Sequence, residues 1–313
     1  MNDSGEPKLA VVVPARNAAE LLPGLLRSLE ESTYQNWEAF LADDQSTDST
    51  PRIMTLWCAR TRRGHSIRLS TRRGPPGARN AALRAALASG HSLVVFHDVD
   101  CLIHPTTLAA HATAHTAHPM AGIVGGPVRS IHTTRIGAAD GYASWFTSPP
   151  GRPDGRVRFL HLPTCNMSVK AWVFEKTGLF REDLATGEDV AFCQEARRCG
   201  IELRFASDAV VEHKDRDDLS SALDHHRRWG AHTHDVRQGE HAFLGTLVPR
   251  NPRICRMLGV PYAFAFTLLV LGLWIRYDPR VLLAAHRIYR MKRAFSRGLV
   301  DGARRTMENR SEL

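Results

Sequence analysis

The residues in this 313-residue chain best suited to chemistry are carboxylates set in clusters. Asp98-Val99-Asp100 places two of them one residue apart, directly after the apolar run Leu93–Phe96. If the backbone turns there, both can face one hard cation. Mg²⁺ and Mn²⁺ take oxygen ligands and commonly bridge protein carboxylates to the oxygens of a diphosphate. A lone pair of this kind is also what many polar turns carry. A second cluster, Asp43-Asp44-Gln45-Ser46-Thr47-Asp48, follows the apolar segment Trp37–Ala42. Its short polar side chains favour a turn and the N-cap of a helix near Thr50, with Ser46 and Asp48 as capping residues. A third, Gly187-Glu188-Asp189, stands where a helical stretch begins, and an acid there complements the positive end of the helix dipole.

The elements that must position these clusters alternate. Leu9–Val13 is a near-continuous apolar run ended by Pro14, as expected of a strand buried on both faces. Leu21, Leu22, Leu25 and Leu29 recur at helical spacing over residues 18–31. Strands are expected at Trp37–Ala42, Ile67–Ser70 and Leu93–Phe96, with an alanine-rich helix over Ala78–Ala88. Strand-helix alternation gives a doubly wound, mostly parallel sheet whose ligands sit at the carboxyl ends of the strands, where the polar clusters lie. Further along, Ile123–Val128 and Thr164–Val169 read as strands, 148–156 as a mobile loop and Glu188–Cys199 as a helix. Leu203–Val211 holds one or two strands, and 218–234 is a His- and Arg-rich helix.

Taken in order, Val11-Val12-Val13-Pro14-Ala15-Arg16-Asn17, the Asp43-Asp44-x-Ser46-x-Asp48 turn, Ala78-Arg79-Asn80, Asp98-x-Asp100 and Gly187-Glu188-Asp189 resemble the family 2 glycosyltransferases of the GT-A fold. The match covers roughly residues 8–230, and the GxGxxG of a dinucleotide-binding fold is absent. The resemblance implies an inverting transferase that uses a nucleotide-sugar donor and Mn²⁺ or Mg²⁺. Pro14, Ala15, Arg16 and Asn17 would line the nucleotide pocket. Asp43 or Asp44 would accept a hydrogen bond from the base, which suits the imide N–H of uracil or thymine and favours UDP or dTDP. Arg79 and Asn80 would lie near the diphosphate or nucleoside. Asp98 would face the nucleotide and share the metal with Asp100, the direct ligand, while His213 would complete the metal shell. Asp189 resembles the family's catalytic base, with Glu188 shaping the acceptor site. His225-His226-Arg227-Arg228-Trp229 resembles the QxxRW signature of processive synthases with His in place of Gln, which speaks for non-processive transfer. Arg228 and Trp229 would still touch the diphosphate or acceptor.

Composition bounds the rest. The net charge is +9, but residues 276–313 carry ten Lys/Arg and four Asp/Glu, a net of +6, which leaves +3 for the first 275. No basic face with interleaved aromatics marks a nucleic-acid partner. Six cysteines without CxxC spacing fit a reducing compartment, and Met1–Glu6 lacks the basic start and apolar core of a signal peptide. A cytoplasmic enzyme is therefore expected. Leu258–Ile275 is eighteen residues without a charge, about 27 Å as a helix. After it Val281, Ala285, Ile288, Met291, Phe295 and Leu299 recur at helical spacing opposite Arg287, Arg290, Lys292, Arg293 and Arg297, a basic amphipathic pattern. A full span would put that helix on the far side from the enzyme, against the positive-inside tendency, so docking on an anionic membrane surface is expected.

The sequence thus predicts an α/β GT-A domain with an apolar and amphipathic C-terminal helical tail. Residues 1–105 form the nucleotide-sugar half, 106–235 the acceptor half, 236–257 a linker and 258–313 the membrane-associated tail. The expected acceptor is a lipid, lipid-linked or cell-envelope glycan at the cytoplasmic membrane face. Decoration of a soluble small molecule, or a catalytically inactive nucleotide-sugar-binding module, stand as alternatives.

Overall fold

Valines at 11, 12 and 13 commit the first apolar run to extended backbone, and every residue of the strand it forms, β1 (Leu9–Ala15), is buried. Pro14 is tolerated because β1's neighbour on one side stops opposite Val12, so no ladder bond is lost beyond it. The computed structural model describes residues 7–144, 146–236 and 248–311. The chain continues through α1 (Leu22–Glu30), β2 (Trp37–Asp43), α2 (Thr50–Thr61), β3 (Gly64–Arg68), α3 (Gly74–Ala88) and β4 (Leu93–Phe96). Next come β5 (Cys101–Ile103), α4 (Thr107–Ala117), β6 (Ala121–Gly125), β7 (Val128–Ile131), α5 (Arg135–Ala143) and β8 (Gly155–Arg156). A 3₁₀ turn at Thr164–Asn166 leads into β9 (Met167–Lys170), α6 (Ala171–Thr177), α7 (Glu188–Arg198), β10 (Glu202–Phe205) and β11 (Val211–Lys214). Three long helices end the chain: α8 (Leu219–Val236), α9 (Pro252–Trp274) and α10 (Val281–Ser311).

Two units divide these elements, residues 1–128 with 151–213 and residues 129–150 with 214–313. In the first, an eight-stranded sheet runs β3-β2-β1-β4-β9-β6-β10-β8. The pairs β1–β2, β1–β4, β2–β3 and β6–β10 are parallel, while β9 is antiparallel to both β4 and β6 and β8 antiparallel to β10. Apolar residues pack on both faces. Ala78, Ala82, Leu83 and Ala86 of α3 lie on one, and Leu22, Leu25, Leu26 and Leu29 of α1 on the other. This is the mostly parallel α/β sheet with flanking helices that the alternation predicts.

Several boundaries differ from expectation. Strand β3 lies at Gly64–Arg68 rather than Ile67–Ser70, because an edge strand needs no continuous apolar run, and His65 stacks on Phe40 at 4.5 Å. Helix α3 begins four residues before Ala78. Pro75 and Pro76 occupy its first turn, where proline is preorganised for the helix. The stretch expected as one strand over Thr164–Val169 divides into the 3₁₀ turn and β9, and the loop expected at 148–156 ends in the short β8. Residues 1–6 and 237–247, the latter within the expected linker, lie outside the described residues.

In the second unit α8, α9 and α10 pack together. Helix α9 offers a narrow seam of Cys255, Gly259, Ala263, Thr267 and Val270 and leaves Met257, Val260, Phe264, Leu268 and Leu273 at least half exposed. The apolar stripe expected on α10 for a membrane is instead interior: Val281, Ile288, Met291, Phe295 and Leu299 are all buried. Lys292 also leaves the expected basic face. It is fully buried and donates to the Ala143 carbonyl, at the C-terminal end of α5, at 2.6 Å. A cation there meets the negative end of a helix dipole, although burial pushes its pKa down to about 7.

Candidate active site

The carboxyl ends of β1 and β2 are tied by their own loops. Asp44 N–H donates to the Ala15 carbonyl at 2.9 Å and Asn17 N–H to Ser46 Oγ at 2.9 Å. The Asn17 side chain, on a residue with φ +48°, accepts from Thr47 N–H at 2.9 Å. Asp48 accepts from Thr50 N–H at 3.0 Å, at the first turn of α2, so it caps as expected; Ser46 links the two loops instead. Pro14 and Ala15 are buried under this knot, and Arg16 is exposed.

The two aspartates after β2 differ. Asp44 accepts from Arg73 N–H at 2.7 Å and Gly74 N–H at 2.9 Å, so both oxygens cap the start of α3. Asp43 is fully buried and accepts from Ser46 N–H at 3.1 Å through Oδ1. Its Oδ2 accepts no hydrogen bond and has the half-exposed Arg68 Nε at 3.5 Å. One buried, underused carboxylate oxygen therefore stands at the end of β2.

Capping by Asp44 sets the pitch of α3 and turns Arg79 and Asn80 inward, at 3% and 1% exposure. Asn80 uses its amide fully on the segment before α7. It donates to the Phe180 carbonyl at 2.8 Å and to Glu182 at 2.9 Å, and accepts from Phe180 N–H at 3.1 Å. Arg79 reaches Asp98 Oδ1 through Nη2 at 2.5 Å and Glu188 through Nη1. Burial opposes that charge, yet the carboxylates of Asp98 and Glu188 hold the guanidinium's pKa above its usual value.

Gly187 takes φ +82°, a left-handed conformation that suits glycine, and α7 starts at the next residue. Glu188 turns toward Arg79 and is buried, and burial holds its pKa above the ordinary carboxylate range against the pull of Arg79. Asp189 keeps 18% of its side chain exposed. It accepts from Val190 N–H at 2.7 Å, and His161 Nε2 lies 3.9 Å from its other oxygen. Burial pushes its pKa up to about 6, opposed by the Val190 N–H and Arg79 and assisted by Asp98. Two carboxylates thus hold one buried guanidinium while a third, Asp189, feels its charge without touching it, an excess of acid that favours a further cation nearby.

Strand β5, which the sequence did not announce, places the second half of the Asp98-x-Asp100 pair. Cys101 pairs in register with His213 of β11, which brings His213 Nε2 to 3.4 Å from Asp100 Oδ2. Among the described residues no three His, Cys, Asp or Glu side chains gather closely enough to hold an ion by themselves. One carboxylate beside one imidazole nonetheless suits Mn²⁺ or Mg²⁺, which commonly take few protein ligands and complete their shell from substrate phosphates and water. Arg228 and Trp229 belong to the second unit. Arg228 pairs with Asp224 at 3.2 Å, and Trp229 packs edge-on against His225 with ring centres 4.3 Å apart.

Sequence reasoning missed the support of this site. Asn166, in the 3₁₀ turn, donates to the carbonyls of Pro127 at 2.9 Å and Ala209 at 2.7 Å and accepts from His111 Nε2 at 2.9 Å. Ser168 Oγ donates to His111 Nδ1 at 2.8 Å and accepts from His115 Nε2 at 2.9 Å. His97 donates through Nδ1 to the Cys165 carbonyl at 3.0 Å. Burial lowers all three imidazoles, His97 and His111 to about 4 and His115 to about 3, so they are neutral. Thr164, first residue of the same turn, hydrogen-bonds Asp189 through its backbone. His161 was missed as well, and nothing in its sequence neighbourhood announces it.

The model of glycosyl transferase family 2 matches residues 10–174, more than half of the chain. Glycosyltransferase AglE of Haloferax volcanii is 26% identical over 67% of this chain and 68% of its own. A validoxylamine A glucosyltransferase of Streptomyces hygroscopicus is 27% identical over 65% of this chain, which spans only 54% of that relative. A third relative, the UDP-Glc:alpha-D-GlcNAc-diphosphoundecaprenol beta-1,3-glucosyltransferase WfgD of Escherichia coli, is 35% identical over 29% of this chain and 34% of its own. Among solved structures, the mannosyltransferase PcManGT of Pyrobaculum calidifontis, in complex with GDP-Man and Mn²⁺, superposes with a TM-score of 0.58 at 21% identity, covering 93% of this chain and 87% of that one. Staphylococcus aureus TarS 1–349 in complex with UDP-GlcNAc does so with a TM-score of 0.55 at 19% identity, covering 96% and 92%. With its motifs in family order on a GT-A sheet, this chain belongs to glycosyl transferase family 2 and is a glycosyltransferase.

Proposed function

We propose that the enzyme is an inverting, metal-dependent, non-processive transferase that moves a sugar from a UDP or dTDP donor to a hydroxyl of a lipid-linked or cell-envelope acceptor at the cytoplasmic membrane face. The observation that carries the mechanism is Asp189, partly exposed at the start of α7 with its pKa raised to about 6. A base of that strength is ionised near neutral pH and still takes a proton readily as the acceptor oxygen attacks. The acceptor O–H proton passes to Asp189, the new C1–O bond forms on the face opposite the leaving group, and the C1–O bond to the diphosphate breaks. Glu188 and Asp98 hold Arg79, which orders the start of α7 and so positions Asp189. Asp43 Oδ2 accepts the imide N–H of the base, and Pro14, Ala15, Arg16 and Asn17 border the nucleoside. Asp100 and His213, with Asp98 beside them, would hold Mn²⁺ or Mg²⁺, which when bound supplies positive charge for the leaving diphosphate.

The acceptor class is supported by the name of the Escherichia coli relative and by the exposed apolar face of α9, a helix long and apolar enough to cross a membrane. A small-molecule acceptor is the second reading, supported by the Streptomyces relative, which aligns over more of this chain. Purified enzyme should be inactive in excess chelator and recover with Mn²⁺ or Mg²⁺, and Asp189→Asn should lose at least about a hundredfold in turnover with donor affinity little changed. Normal turnover by that variant, or a product with retained anomeric configuration, would sink the mechanism.

A further inference from the structure

We propose that the second unit carries a site for the phosphate of an anionic membrane lipid, in the notch between α8, α9 and α10. The proposal rests on the membrane reading above for the source of that phosphate. Two cavities, of about 550 and 340 Å³, open along this notch. Their shape follows from glycine. A Cβ on Gly298 would stand 2.0 Å from the Arg227 carbonyl oxygen, and one on Gly302 2.2 Å from that of Ala231, so α8 and α10 touch backbone to backbone. Gly259 makes room on α9, where an added Cβ would meet Arg293 Nη1 at 3.3 Å. Beside these close contacts the space left open is walled mainly by arginines.

Arg227, Arg293 and Arg297 line both cavities, joined by Arg290 in the larger and by Arg256 and Arg304 in the smaller. Two carboxylates share these walls and both are engaged, Asp224 with Arg228 at 3.2 Å and Asp301 with Arg227 at 2.8 Å. Arg256, Arg290, Arg293, Arg297 and Arg304 have no carboxylate partner among the described residues. Five guanidinium groups around one notch, without a carboxylate partner among the described residues, repel each other unless an anion joins them, and the planar fork of arginine matches phosphate oxygens two at a time. The chemistry next to the notch names the source. On α9, Val260 and Phe264 follow Arg256 at i+4 and i+8 and so line up on one face with it, at 51% and 58% exposure. A phosphate held by the arginines therefore has an apolar surface beside it for acyl chains, as an amphiphile requires and a free anion does not.

The test is flotation of the full chain, at an ionic strength that screens diffuse attraction, with vesicles of phosphatidylcholine alone or containing phosphatidic acid. The anionic vesicles should bind at least about tenfold more tightly, and Arg293→Ala/Arg297→Ala should abolish that gain. A control with the same loss of charge outside both cavities, Arg276→Ala/Arg287→Ala, should keep most of it. Equal losses in the two doubles, or no gain from phosphatidic acid with binding to neutral vesicles intact, would overturn the headgroup site and leave the membrane reading standing. Absence of flotation with every vesicle would remove both. In a parallel arm without vesicles, pyrophosphate binding that depends on Arg293 and Arg297, while vesicle binding does not, would make the source a soluble phosphate and overturn the lipid assignment. Arg297→Gln alone serves if the double variant melts abnormally.

Discussion

At Asp189, stability and chemistry pull in opposite directions. Its pKa stands at about 6 against an ordinary 3.8, so the fold favours the neutral acid. The ionised carboxylate therefore works against folding, with a cost that builds between those two values and persists at pH 7. Asp189→Asn should accordingly melt several degrees higher than the parent at pH 7, and the gain should vanish as pH falls below about 4, where aspartate is protonated in both states. A variant equally or less stable at pH 7 would mean that the carboxylate is already relieved by charge partners. The same titration sets an acidic limb for turnover near pH 6. At this scale the sequence was informative about residue type and order but silent about division of labour. Asp43 and Asp44 look alike in the chain, yet one caps α3 with both oxygens while the other keeps an oxygen without a hydrogen bond. Arg79 looks like a solvated helix residue until Asp98 and Glu188 are found on either side of it. Neither distinction is local, since each depends on partners some 20 to 110 residues away.

Elements were legible in proportion to their burial. Strands β1, β2 and β4 and helix α7 announce themselves because an apolar run or a polar-to-helical switch marks each one. Edge strand β3 shows itself only with shifted bounds, and the short strands β5 and β8 do not show at all, with β5 defined only by its pairing to β11. The C-terminal helices show the limit most clearly. An amphipathic stripe fits a membrane or a neighbouring helix equally well, and on α10 the neighbour wins, with Lys292 drawn inward by the end of α5. Deleting the chain beyond Asn251 would therefore strip the partner from α8 rather than release a tail. The membrane question is better put to α9, whose interior seam is small and whose outer face is large and exposed. Replacing Met257, Phe264, Leu268 and Leu273 with Gln should abolish flotation on neutral vesicles while moving the melting temperature by only a few degrees, as exposed positions allow. A collapse in melting temperature would mean that this face is packed in solution.

For the molecule as a whole, the alternation of strands and helices and the uneven charge were visible from the start, whereas the buried imidazoles were not, because histidine is equally at home on a surface. His97, His111 and His115, with His226 at about 4 and His225 at about 2, are kept neutral by burial. A base whose pKa is lowered by folding stabilises the native state above its ordinary value of 6.5, and that contribution is lost as pH falls toward the folded value. Unfolding at pH 5 is then a proton-absorbing reaction. Five imidazoles gain nearly a proton each, His91 and His234, lowered by the same burial, add to the uptake, and Asp189 and Glu188, raised by burial, give protons back, so the balance is a net uptake. Calorimetry makes this countable, because each absorbed proton must come from the buffer and carries that buffer's ionisation heat. The apparent unfolding enthalpy should thus be larger in an amine buffer with a pKa of about 5 than in acetate at the same pH, with a clearly positive slope against ionisation enthalpy. A flat plot would mean that these rings are charged in the native protein. The enzyme's acid tolerance is in this sense written in its histidines rather than in its abundant surface arginines, which hold their protons folded or not.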